Sequence, residues 1–297
     1  MIINRQSLTT LNTGYKANFQ RGFAGVAPMW EKIATRVPSA TAAEEYGWLG
    51  AFPGMREWIG ERQIKNLAQH GYTIKNRRFE ATVSVPVTSI NDDQHGIYAP
   101  MMEEMGRSAA EHPDTLVYGL LKDGFSVNCY DGQFFFDTDH PVIGADRVER
   151  SVSNFQAGAL APWFLLDTRR ALKPLIFQER KKPQFVAKDD PADDRVFMKD
   201  EFVYGTDSRC NAGFGFWQMA YGSKADLTEA NLQAAYTAMT TLKGDEDRPL
   251  GILPNLLVVH PTLKFKADEL LKAQMKNGGA SNIMQGLVES LSSPWLA

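Results

Sequence analysis

From Phe79 onward the segment GYTIKNRRFEATVSVPVTSINDD, residues 71–93, alternates: Phe79, Ala81, Val83, Val85 and Val87 on one parity, Glu80, Thr82, Ser84, Pro86 and Thr88 on the other. A period of two predicts a strand with one apolar face that other elements must cover. An apolar stretch at residues 64–67 precedes it, with polar residues around His70, Gly71 and Asn76 between, so the pattern predicts a hairpin arm. Pro86 suits an edge strand, and Lys75, Arg77 and Arg78 blunt the turn end. Two strands alone are marginal in water, so the arm is expected to lie on another subunit.

Residues 1 to about 25 are polar with scattered apolar positions and predict an extended or partly helical arm, followed by a helical stretch over 28–36 and the loop PSATAAEEYG. In YGWLGAFPGMREWIG, residues 46–60, Tyr46, Trp48, Phe52 and Trp58 sit between glycines and a proline, a pattern of tight turns bearing bulky anchors. Tyr98, Met101, Met102, Met105 and Ala109 recur at helical spacing, and Leu116, Val117, Leu120 and Leu121 resume it up to Gly124. Pro113 predicts a kink or break near His112.

From 163 to 221 the runs WFLLD, KPLIFQ, VFMKDEFVYG and NAGFGFWQMAYG, separated by ERKKP and KDDPADDR, predict a meander of long strands. A helix follows, with Leu227 and Thr228 as staple and N-cap, Leu232, Ala235, Tyr236, Met239 and Leu242 on one face and Gly244 as C-cap. A short buried strand over 255–259 leads to a last helix marked by Leu263, Ala267, Leu270, Leu271 and Gln274. The order is α+β, with a boundary near 222–226.

Composition narrows the function. The 297 residues suffice for one large or two modest domains, and 43% hydrophobic with 23% charged residues is ordinary for a soluble globular protein. Against 32 basic residues stand 35 acidic ones, a net charge of −3, so no broad nucleic-acid surface is expected. Residues 1–30 carry Arg5, Lys16 and Arg21 and no acid, which reads as a solvated tail or as a basic arm lying on a neighbour or facing nucleic acid. No signal peptide or apolar run near the ~18 residues of a membrane span is present, so a cytosolic chain without membrane contact is expected. Cys129 and Cys210 fit no metal spacing and read as reduced, buried thiols.

Chemistry-bearing motifs are missing. There is no G-x-x-x-x-G-K-[ST], H-E-x-x-H or G-x-S-x-G, and GFGF at 213–216 lies in a strand-like run. Asp137, Asp139 and His140 offer metal ligands or an oriented base; a turn in which Asp caps backbone amides explains them as well and is preferred. His260 before Pro261 reads as another turn, and Asp189, Asp190, Asp193 and Asp194 as a solvated loop without the EF-hand pattern. No catalytic residue, cofactor or metal is expected.

The blocks EYGWLGAFPGMREWIGERQIKNLAQHGYTIKNRRFE, GIYAPMMEEMGRSAAEHPDTLVYGLLKDG, YDGQFFFDTDHPV, WFLLDTRRALKPLIFQERKKP, VFMKDEFVYG, AGFGFWQMAYGS and PNLLVVHPTL together resemble the Mu-like major head subunit family, the gpT-type major capsid proteins of transposable tailed phages. The resemblance covers nearly the whole chain in order. It implies a Hong Kong 97-like capsid fold: N-terminal arm 1–45, extended loop and its base 46–95, peripheral domain 96–225 with a spine helix over 96–124, and axial domain 226–297. It implies a virion protein, assembled in the host bacterial cytoplasm into hexamers and pentamers of an icosahedral shell around double-stranded DNA. Scaffold, portal and decoration proteins are the further partners it suggests. The inter-subunit contacts expected on this reading are Arg5, Lys16, Arg21, Trp48, Phe52, Trp58, Tyr72, Lys75, Arg77, Arg78 and Phe79. Two rival classes stay open: a tail or decoration protein, and an α+β enzyme with its site around Asp137, Asp139 and His140.

Overall fold

The computed structural model describes residues 5–50, 71–92, 96–275 and 279–297. The polar arm is a helix, α1 (Arg5–Ala24), because Leu8, Leu11, Tyr15, Phe19 and Phe23 form a stripe at three- and four-residue spacing that is buried or partly buried. The helix expected over 28–36 is instead one 3₁₀ turn, Trp30–Lys32, and a strand, β1 (Ala34–Pro38). Tertiary pairing overrides local preference there, since β1 pairs with a later strand and Trp30 is sunk in the core.

Two short strands follow, β2 (Ala43–Glu45) and β3 (Thr73–Lys75), paired antiparallel. The alternating segment is β4 (Arg77–Pro86), continued by α2 (Val87–Asn91). Its parity is as expected: residues 79, 81, 83, 85 and 87 are partly or fully buried and their neighbours are exposed. Its surroundings differ. The cover comes from the same chain, from α1 and from α3 (Tyr98–Asp123), whose Met102 and Met105 join Leu8, Tyr15, Phe19 and Val85 in one cluster. Helix α3 runs unbroken through Pro113; the proline removes one donor. Val117, Tyr118 and Leu121 in the core, and Asp114 accepting the Trp30 amide at 2.5 Å, hold the second half in place.

The stretch after α3 contributes to three sheets, not one meander. The elements are β5 (His140–Ile143), β6 (Glu149–Val152), β7 (Phe155–Gln156), β8 (Trp163–Leu166), β9 (Leu175–Lys188), α4 (Asp194–Lys199), β10 (Glu201–Phe214) and β11 (Ala220–Ser223). Strands β5 and β6 pair as a two-stranded ribbon, and the other strands enter two larger sheets. Strands β9 and β10 form a long antiparallel hairpin at the centre of a four-stranded sheet, order β1-β9-β10-β4. The expected ERKKP loop lies inside β9, where residues alternate half-buried and exposed as a sheet with one wet face allows. VFMK falls in α4 and not in a strand, because Asp193 caps it by accepting the Arg195 amide at 2.9 Å. Along its whole length β4 pairs with β10, from Arg77 opposite Cys210 to Pro86 opposite Glu201; residues 64–67, its expected partner, lie outside the described residues. It is an edge strand, as Pro86 requires.

The C-terminal part contributes α5 (Glu229–Thr240), β12 (Leu256–Val259), α6 (Lys264–Lys272) and β13 (Glu289–Ser292). Thr228 caps α5 as expected, its hydroxyl accepting the Asn231 amide at 3.2 Å, while the helix stops before reaching Gly244. One five-stranded sheet, order β13-β12-β8-β11-β7, crosses the boundary expected at 222–226, since β12 pairs directly with β8. Its inner strands β8 (WFLL) and β12 (LLVV) are apolar and buried at every position because both of their faces are covered. Phe164, Leu166, Leu256 and Val258 face the aromatic core around Phe135, Phe136 and Trp217; Trp163, Leu165, Leu257 and Val259 face α5 and α6. Cys129 and Cys210 are free, buried thiols.

Candidate inter-subunit surfaces

Lys16 and Arg21 project from the exposed side of α1, and Arg21 lies 3.4 Å from Glu103 on α3, so the basic arm is docked on α3 of the same chain. Arg5 begins α1 and Trp48 lies in the 3₁₀ turn Gly47–Gly50. Phe52 and Trp58 lie outside the described residues. Tyr72 serves the interior: its hydroxyl accepts the Phe214 amide at 2.9 Å, and burial pushes its pKa up to about 12.

Lys75 ends β3, and Arg77 and Arg78 begin β4, all three exposed. They do not cap a free turn, because Arg77 and Arg78 stand opposite Cys210 and Arg209 in the sheet. The Arg77 guanidinium lies 5.4 Å over the Phe79 ring, and that ring packs on His112 at 4.2 Å. The acidic loop is partly engaged within the chain. Asp189 accepts from the Asn12 side chain, and Asp193 caps α4.

The largest apolar exposures fall elsewhere. Phe197 is 82% exposed and Met198 77%, side by side on α4 at the tip of the β9–β10 hairpin; Phe265 on α6 is 85% exposed. A folded chain has no internal reason to present adjacent large apolar residues at the end of a hairpin, so these are candidate contact surfaces. Reading VFMK as strand hid the first pair. Phe265 carried a signal, since it falls off the stripe formed by Leu263, Ala267, Leu270 and Leu271.

Of the groups with potential chemistry, Asp137 does what a turn needs, accepting the Phe134 amide at 3.1 Å and the Thr138 amide at 2.7 Å. Asp139 is exposed. His140 is fully buried, stacked on Trp217 at 3.9 Å, with Nδ1 2.7 Å from Asp131, a residue the sequence did not single out. Cys129, Asp131 and His140 bring ligand-type atoms within 4.8 Å of one another. Asp131 stands between the other two, however, taking the Cys129 thiol on Oδ1 at 3.0 Å and the ring on Oδ2.

Solved structures that this chain resembles include capsid structures of bacteriophage JBD30. A chain of the procapsid of bacteriophage JBD30 superposes with a TM-score of 0.87 at 48% identity, over 99% of this chain and 100% of that one. A chain of the JBD30 capsid decorated with minor capsid protein trimers matches at TM-score 0.78 and 38% identity, over 93% of each. The fold with its outward-facing apolar tips therefore defines a phage capsid protein of the Hong Kong 97-like class.

The model of the Mu-like prophage major head subunit gpT matches residues 8–296. The major capsid protein of Escherichia phage Mu is 42% identical over 305 aligned positions, covering 100% of both chains. The chain belongs to the Mu-like prophage major head subunit gpT family, and its function is that of the major capsid protein of a Mu-like phage.

Proposed function

We propose that this chain assembles in the cytoplasm of a host bacterium into hexameric and pentameric capsomers of an icosahedral shell that encloses double-stranded DNA. The observation that carries this reading is the likeness to the JBD30 procapsid chain over 99% of this chain and the whole of that one. The tips bearing Phe197, Met198 and Phe265 support it, because copies of the chain would bury them. Lys16, Lys75, Arg77 and Arg78, free of the interior, are read as polar contacts between subunits, with Arg5, Arg21 and Trp48 at the arm and Tyr72 and Phe79 holding its base. Phe52 and Trp58 are assigned to the same surface on sequence alone.

In this reading 1–45 is the arm, 46–95 the extended loop and its base, 96–225 the peripheral domain and 226–297 the axial domain, the last two sharing the five-stranded sheet. A net charge of −3 suits a container whose wall must not grip packaged duplex through phosphate contacts. A scaffold and a portal belong to the same assembly, and a decoration protein is a further partner, as in the decorated JBD30 capsid. The role is structural and not enzymatic: His140 is enclosed among its own partners, away from solvent.

Electron microscopy of the purified full chain, alone and with a scaffold, tests the proposal. Closed shells or capsomers are expected; a stable monomer at high concentration under both conditions overturns it.

A further inference from the structure

His140 sits where three separate segments meet. Its Nδ1 faces Asp131 Oδ2 at 2.7 Å, its Nε2 faces Asn154 Oδ1 at 3.2 Å, and its ring lies parallel to Trp217, 7° between the planes. The orientation of Asn154 is dictated by its neighbours. Its Nδ2 donates to the carbonyl oxygens of Phe135, Trp217 and Ala220 at 2.8, 3.3 and 3.2 Å, and its Oδ1 accepts the Asp137 amide at 2.9 Å. Turning the amide over would set an oxygen against three carbonyls and an NH₂ against an N–H, so Nε2 meets an acceptor.

On the other side Asp131 is a carboxylate, and so an acceptor as well. Burial pushes its pKa up, but hydrogen bonds from His140 and Cys129 outweigh that and hold it below the usual range. Cys129 donates to Oδ1 and the Gln133 amide does the same at 3.1 Å. A neutral imidazole has one N–H and would leave a lone pair pressed against an oxygen on one side or the other. Two protons satisfy both contacts. The positive ring then pairs with Asp131 and lies against the indole face, the best aromatic partner for a cation.

We propose that the His140 ring, with an acceptor at each nitrogen, carries two protons, and that it is a charge latch: its pairing with Asp131 fastens the 129–137 loop to the start of β5, and its stacking on Trp217 fastens both to the turn at 217–219. Around it the titratable groups are Asp131, Cys129 and Tyr130 on the loop, the last two kept neutral by burial, and Asp137 and Asp139 at the turn before β5. Asn154 and Trp217, from the other two segments, carry no charge. Breaking one partner of such a pair strands the other in the core, so a single substitution at either position is costly.

The full chain labelled with ¹⁵N-histidine, kept unassembled at pH 7, is the test. Two protonated ring nitrogens on His140 are expected, assigned by their loss in His140→Gln or, where that variant does not fold, by contacts to Trp217. Asp131→Asn should reduce the two signals to one and lower Tm by roughly 10 °C. A single N–H in the wild-type ring overturns the proposal. So does displacement of the Nδ1 proton on adding Zn²⁺, which would make the cluster a metal centre instead.

Discussion

Gly22 and Gly106 meet where α1 crosses α3, so closely that neither position has room for a side chain. A Cβ on Gly22 would stand 1.9 Å from the Glu103 carbonyl oxygen, and one on Gly106 2.0 Å from that of Phe19. Backbone on backbone leaves nothing to rotate aside. Alanine favours a helix by up to about 1 kcal/mol over glycine, but here the overlap must win, at about 1–3 kcal/mol for a core that repacks. Gly106→Ala is expected to lower Tm and speed protease cleavage within α1. An unchanged melting curve would mean the two helices are not in contact in solution.

The hairpin tip separates assembly from folding. Phe197 and Met198 are exposed, so replacing both with serine should change stability by no more than about 0.5 kcal/mol. If copies of the chain bury them, the double variant keeps the wild-type melting curve while shells disappear from sedimentation profiles. Normal shells would show that this tip faces solvent in the particle.

Charge at the start of β4 gives a second probe. Arg77 and Arg78 are exposed, and reversing both to glutamate is expected to leave the circular dichroism spectrum intact while reducing shell yield, most of all at low salt. Equal yields at low and high salt would remove these two residues from the contact list.

Glu44 organises the turn before β2. Its Oε1 accepts from the Thr41 amide at 2.9 Å, the Ser39 hydroxyl at 2.8 Å and the Ala40 amide at 2.8 Å, which lowers its pKa from 4.5 to about 2. The folded value lies below the unfolded one, so the contribution is complete above about 4.5 and lost as pH falls toward 2. The protection of the Ala40 and Thr41 amides, measured as their exchange relative to the unstructured rate at the same pH, should therefore fall across that window. In Glu44→Gln that protection should be lower at neutral pH and nearly constant over the same range.

Much of this protein was legible in one dimension. The parity of β4, the N-cap of α5, the apolar stripe of α3 and the buried strand β12 are local patterns, each set by a period or a single capping hydrogen bond within a few residues. The blocks shared with the head subunit family also lie in plain order along the chain. The candidate contacts were legible only in part: the exposed arginines are where charge suggested, but Phe197, Met198 and Phe265 were hidden in runs that look like core.

Pairing between distant segments was not written in any local period. That β4 joins β10, that α1 and α3 from the same chain cover it, and that β8 lies beside β12 across the expected boundary depend on which surfaces fit. The same holds for His140, whose partners Asp131, Asn154 and Trp217 come from three segments. The amino-acid sequence determined which faces are apolar and where elements start and stop, because those are short-range effects of periodicity and capping. Only the tertiary structure decided which face meets which, because burial is not directional and many pairings satisfy the same pattern until backbone clearance, as at Gly22 and Gly106, selects one.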